Sequence, residues 1–233
     1  MKKTSLALSL LISLVFAYSG LAQQRTVDLN NSFDELAFGV SGTLYLKQGS
    51  EQKVEVECSD DIFAKLEIEV KGSKLEIKLK DKWGWNSGIK KSNLTIYVTM
   101  TEINWLSLSG SGSLIGENQI EVKNLGVSLS GSGNVNLFAL GEKLTLKISG
   151  SGKISLDGKA NSIDAKISGS GSIKAKDLEV ASVDAAISGS GSVYITVTDE
   201  IRSRISGSGS VYYAGNPKKL DNHSSGSGKI RKL

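Results

Sequence analysis

Leu144-Thr145-Leu146-Lys147-Ile148-Ser149-Gly150-Ser151-Gly152-Lys153-Ile154 is answered nineteen residues later by Ile163-Asp164-Ala165-Lys166-Ile167-Ser168-Gly169-Ser170-Gly171-Ser172-Ile173. Before each Ser-Gly-Ser-Gly every second residue is apolar, and an apolar residue returns two places after it. The residues between, such as Thr145 and Lys147 or Asp164 and Lys166, are polar or charged. That is the period of a strand with one buried face, broken by a sharp corner.

Working outward, the tetrapeptide begins at Ser109, Ser130, Ser149, Ser168, Ser188, Ser206 and Ser225, with spacings of 21, 19, 19, 20, 18 and 19. A fixed short period is the mark of a solenoid. Leu114, Val135, Ile154, Ile173, Val193, Val211 and Ile230 hold the same offset after their corners, so a second strand leaves each one. One unit recurring in the same order suits coils stacked in parallel, ~4.8 Å apart, with right-handed crossovers. The expected fold is therefore all-β, a right-handed parallel β-helix (β-solenoid) with about 19–20 residues per coil.

The corner pairs Ser109-Gly110, Ser130-Gly131, Ser149-Gly150, Ser168-Gly169, Ser188-Gly189, Ser206-Gly207 and Ser225-Gly226 read as structural. Gly at the second and fourth places permits positive φ or close backbone approach. Ser hydroxyls in register are expected to donate and accept along a ladder.

Three segments follow from the pattern. Residues 1–22 read as a signal peptide: Lys2 and Lys3, an apolar run from Leu6 to Phe16, and the small-residue exit Gly20-Leu21-Ala22. Residues 23–105 read as irregular N-terminal coils and a cap, with strands at Lys53 to Cys58, Leu66 to Val70, Leu75 to Lys80 and Leu94 to Met100, and a degenerate corner at Gly39 to Leu44. Residues 106–233 are the regular coils, continuous with the preceding part as one domain. Lys229, Arg231 and Lys232 place charge on a terminal strand that would otherwise expose an open edge.

The formal charge of +4 falls to +2 without Lys2 and Lys3, and the charges are interspersed, which gives no case for nucleic acid. Cys58 is the only cysteine. It shares parity with Val54 and Val56, so it reads as a core residue; it can form no internal disulfide, and its distance from the leader argues against a lipid anchor.

The segments Ser32-Phe33-Asp34-Glu35-Leu36 and Gly39-Val40-Ser41-Gly42-Thr43-Leu44-Tyr45-Leu46, followed by the serial Leu-Ser-Gly-Ser-Gly corners, resemble the family called putative auto-transporter adhesin, head GIN domain. The resemblance implies a right-handed parallel β-helix in the envelope of Gram-negative bacteria. The sequence reaches Leu233 inside the repeats, with no translocator barrel after them, so periplasm and cell surface both remain open.

Chemistry is sparse. The one histidine, His223, lies in Asp221-Asn222-His223-Ser224-Ser225, but adjacent residues of a strand alternate faces, which argues against a triad. One His and one Cys exclude an ordinary zinc site, and no catalytic residue, metal or cofactor is expected.

Asp164 and Asp184 fall in equivalent places of adjacent coils and make a carbohydrate-active lyase or hydrolase the rival reading, with Lys147 and Lys166 expected to balance their charge. An ice-binding Ser array is the third reading. The loop Lys80-Asp81-Lys82-Trp83-Gly84-Trp85-Asn86-Ser87-Gly88-Ile89-Lys90-Lys91 offers aromatic faces beside cations, so Trp83, Trp85, Lys82, Lys90 and Lys91 are candidate binding residues, or a cap. The function read from the sequence is a noncatalytic adhesin-like binding or scaffold module. Glycans, envelope proteins and a second copy of the chain all stand open as partners.

Overall fold

A computed structural model describes residues 23–29, 31–80 and 93–233. Its regular part is a stack of long strands, each one coil: β9 (Ser113–Gly131), β10 (Asn134–Gly150), β11 (Lys153–Gly169), β12 (Ser172–Gly189) and β13 (Ser192–Gly207). They pair in parallel, and corner lies on corner: Ser130 on Ser149, Ser149 on Ser168, Ser168 on Ser188, and Ser188 on Ser206. The expected β-solenoid is the fold observed. Parallel pairing is forced because each coil returns to the same side of the stack before the next begins.

Alternation decides what is buried. Leu144, Leu146 and Ile148 point inward and are at most 2% exposed, whereas Lys147 between them is exposed. Each inward aliphatic side chain contributes about 1.5–3 kcal/mol when fully buried, and the stack joins these residues into one core cluster. Cys58 is part of it, and burial pushes its thiol pKa up.

The two glycines of a corner have different tasks. Gly150, in the second place, has φ of 121°, which other residues rarely adopt. Gly171, in the fourth place, needs close approach: a Cβ there would stand 2.6 Å from Ile148 Cγ2 and 2.8 Å from the Gly152 carbonyl oxygen.

The stack continues into the first part of the chain through β2 (Glu35–Phe38), β3 (Thr43–Gln48) and β8 (Trp105–Gly110). β2 lies on β8 and β3 on β9, so Gly39 to Gly42 turns the chain one level from the first full corner. Beyond that level the coils give way to antiparallel pairs. β6 (Lys74–Leu79) lies parallel to β2 and carries β5 (Leu66–Lys71) antiparallel. β7 (Leu94–Met100) lies parallel to β3 and carries β4 (Lys53–Cys58) antiparallel, with β1 (Gln23–Thr26) antiparallel on β4. A single helical turn, α1 (Asp60–Phe63), links β4 to β5.

At the other end, β14 (Ser210–Ala214) and β15 (Lys219–Gly226) lie on β13, and β16 (Lys229–Lys232) lies on β14. Inward positions turn polar here: Ser203 and Asn222 extend the column that holds Leu146, Ala165 and Ala185. No helix among the described residues is long and apolar enough to cross a membrane.

Candidate functional site

Three outward columns run along the arm that precedes the corners. The outermost holds Glu35, Trp105, Gly126, Thr145, Asp164, Asp184, Arg202 and Asp221. The middle one holds Ala37, Ser107, Ser128, Lys147, Lys166, Ala186, Arg204 and His223. The innermost is the serine column at the corners, Ser109, Ser130, Ser149, Ser168, Ser188, Ser206 and Ser225.

The middle and serine columns are two residues apart on each strand, so both face solvent ~7 Å apart. Their side chains wall a groove of about 1030 Å³ that runs along the stack from Ser128 to Ser225. Lys147, Lys166 and Arg204 line it together with the serines, and no carboxylate does. A shorter stretch of about 250 Å³ shares Ser128 and Ser130 and carries the groove on past Ser107 and Ser109 to Glu76 and Lys78.

That N-terminal end is electrically closed. Lys78 lies 3.0 Å from Glu69, 3.4 Å from Glu76 and 3.6 Å from Glu67, which raises its pKa. Hydrogen bonds from Lys71 and Lys78 lower the Glu69 pKa to about 2.

Beside the groove, Trp105 lies flat on the chain at Gly126, donates from Nε1 to Ser107 Oγ at 3.0 Å, and has the Lys147 ammonium 5.2 Å from its ring centroid. Trp105 is not among the candidate binding residues of the sequence. Its signal is there once two corners are aligned, because the spacing of 21 places Gly126 where a side chain would block the indole.

The hydroxyl ladder expected along the serines does not form. Among the described residues, Ser41 Oγ and Ser111 Oγ, 3.1 Å apart, are the one Ser–Ser pair within hydrogen-bond reach. Identical rotamers in register repeat at the interstrand spacing of ~4.8 Å, too wide for O–H···O contact. The hydroxyls of Ser149, Ser168 and Ser188 are left without a protein partner and face the groove.

Asp164 and Asp184 are register partners, but each is held by a cation on its own face. Lys166 stands 3.1 Å from Asp164, and Arg204 stands 2.8 Å from Asp184. Lys147, expected to help balance this column, sits over Trp105 instead. The pair is thus neutralised by cations, and Glu200, which lines the same hollow of about 270 Å³, is itself held by Arg202 at 3.0 Å and Lys219 at 2.9 Å.

Asp221, His223 and Ser225 correct a second expectation. Being two apart, they share the outward face, and His223 Nδ1 lies 3.2 Å from Asp221 Oδ1. The arrangement stops there: the His223 side chain is 77% exposed, and Ser225 makes no hydrogen bond to it. A nucleophile–base hydrogen bond and a water-excluding wall are both missing. No group of three or more His, Cys, Asp or Glu among the described residues is placed to hold a metal ion. Trp83, Trp85, Lys82, Lys90 and Lys91 lie outside the described residues.

Residues 32–217 match the family model described as putative auto-transporter adhesin, head GIN domain. Among solved structures, the chain is similar to a putative adhesin from Bacteroides fragilis, with 25% identity, 92% of this chain and 98% of that chain covered, and a TM-score of 0.84. A putative lipid binding protein from Parabacteroides distasonis is also 25% identical, over 92% of this chain and 97% of that one, with a TM-score of 0.75. A putative adhesin from Parabacteroides merdae shares the fold at 21% identity, with the same two coverages and a TM-score of 0.72. No curated protein matches the chain in sequence.

Proposed function

Because this chain belongs to the putative auto-transporter adhesin, head GIN domain family, we propose that it is a noncatalytic, adhesin-like binding module of the cell envelope whose ligand face is the axial groove. The carrying observation is the groove's lining from Ser128 to Ser225: Lys147, Lys166 and Arg204 stand beside the unpartnered hydroxyls of Ser149, Ser168 and Ser188, with no carboxylate among them. Such a lining binds through many weak, equivalent contacts, which suits adhesion to a repetitive surface component.

Catalysis is disfavoured by the same face. Asp164 and Asp184 are tied up in exposed ion pairs, and the Asp221, His223 and Ser225 array is open to water. The similar proteins from Bacteroides fragilis and Parabacteroides distasonis are a putative adhesin and a putative lipid binding protein, which supports a binding role. Export through a leader at residues 1–22 would deliver the module to the envelope.

Retention of the protein on envelope extracts tests the reading. Lys147→Ala combined with Lys166→Ala should strip retention while leaving Tm nearly unchanged, since both side chains are exposed. Undiminished retention would remove the groove as the ligand face.

A further inference from the structure

We infer that the groove takes a linear acidic polysaccharide lying along the solenoid axis, with its acid groups on Lys147, Lys166 and Arg204 and its hydroxyls on the serine wall. This rests on the reading that the groove is the ligand face, and it names the ligand's chemistry.

Geometry sets the shape of the ligand. From Ser128 to His223 the groove crosses five inter-coil steps, a length of ~24 Å at the interstrand spacing. A single sugar would touch one or two levels, and only a chain reaches all three cations. Lys147 and Lys166 are on adjacent levels, and Arg204 is two levels beyond, past Ala186.

Charge sets its sign. The lining contains three cations and no acid. Asp164 and Asp184 hold Lys166 and Arg204 from the neighbouring column, but exposed ion pairs contribute little and exchange readily for an incoming carboxylate or sulfate. Lys147 has no carboxylate partner to give up, since its ammonium sits over the Trp105 ring.

The floor supplies no polar contact of its own: Ile148, Ile167, Ile187 and Ile205 lie beneath the groove, each only 2% exposed, so hydrogen bonds and charge must come from the two walls. The free hydroxyls of Ser149, Ser168 and Ser188 suit a hydroxylated ligand.

The test is calorimetry on the full chain without residues 1–22, using oligogalacturonates of graded length. Cello-oligosaccharides of equal length serve as the neutral control, and phosphatidylglycerol vesicles as the anionic lipid. Affinity for the acidic series should climb with length and level off once the oligomer spans the groove, and it should weaken as salt is added. Lys147→Ala with Lys166→Ala should lower it at least about tenfold, whereas Lys174→Ala, outward on the arm after the corner, should leave it unchanged.

Equal binding of the neutral series, absence of length dependence, or binding to vesicles alone would overturn the inference. If the groove variant loses envelope retention while wild type ignores oligogalacturonate, the acidic-chain assignment falls and the groove stands. If retention is unchanged, the groove itself falls.

Discussion

The indole of Trp105 rests on the backbone of Gly126 so closely that a Cβ on Gly126 would stand 1.9 Å from Trp105 Cε3. The two residues are register partners on adjacent coils, and Lys147 reaches back over the same ring. A missing side chain at one level thus seats an aromatic ring from the level before, at the edge of the cationic groove.

Gly126→Ala should therefore lift the ring off its seat. The expected cost is about 1–2 kcal/mol, a Tm lower by roughly 2–8 °C. Trp105→Ala removes the same contact from the other side, so the double variant should be less destabilised than the sum of the singles. Strict additivity in thermal unfolding would show that the ring contact contributes nothing.

Corner glycines separate conformational strain from steric conflict. At Gly110, φ is 88° and nothing lies within 4 Å of an added Cβ. At Gly150, φ is 121° and the Gly131 carbonyl oxygen would be 2.5 Å away. Gly110→Ala should cost about 1–2 kcal/mol from the left-handed conformation alone. Gly150→Ala adds a clash with backbone that cannot swing aside, a further ~1–3 kcal/mol of overpacking. Equal denaturation midpoints for the two variants would contradict this division.

The regular coils were legible because strand alternation and the corner tetrapeptide repeat together, so Leu144, Leu146 and Ile148 could be assigned inward before any coordinates. Strand direction at the start of the chain was not legible. Val54, Val56 and Cys58 alternate in the same way whether β4 runs parallel or antiparallel to β7, and only the register shows the latter. The groove is hidden in the sequence for a related reason: Lys147, Lys166 and Arg204 look like scattered surface charge until the register stacks them. Trp105 was hidden by the need to compare it with a glycine in the next coil. In-register serines suggest a hydroxyl ladder, but the interstrand gap of ~4.8 Å is too wide to close one.

Alternation makes opposite forecasts for neighbours. Ile167 is 2% exposed and Lys166 is exposed. Ile167→Asp buries an unpaired charge between coils and should cost more than about 4 kcal/mol, enough to unfold most of the stack. Lys166→Asp loses an exposed pair with Asp164 and should cost at most about 1 kcal/mol. Circular dichroism melts of the two proteins should differ by many degrees, and coincident melts would mean the faces are reversed.

The charge cluster on the β5–β6 hairpin makes stability depend on acidity in a defined window. Glu69 accepts hydrogen bonds from Lys71 and Lys78, and its pKa falls to about 2 in the folded protein, against ~4.3 for an unfolded chain. A depressed carboxylate stabilises the fold above its unfolded pKa and loses that contribution as pH falls toward the folded one. The contribution should thus be complete at neutral pH, decline from about pH 4.3, and be gone once pH drops through about 2. Glu69→Gln never has it. Wild type should accordingly exceed Glu69→Gln in Tm near pH 6, with the gap closing steadily as the buffer is acidified and shrinking in high salt. The same comparison by amide exchange should confine the effect to Leu66–Lys71 and Lys74–Leu79, the paired strands of the hairpin. A gap independent of pH would mean that Glu69 acts through packing or hydrogen-bond geometry and not through its charge.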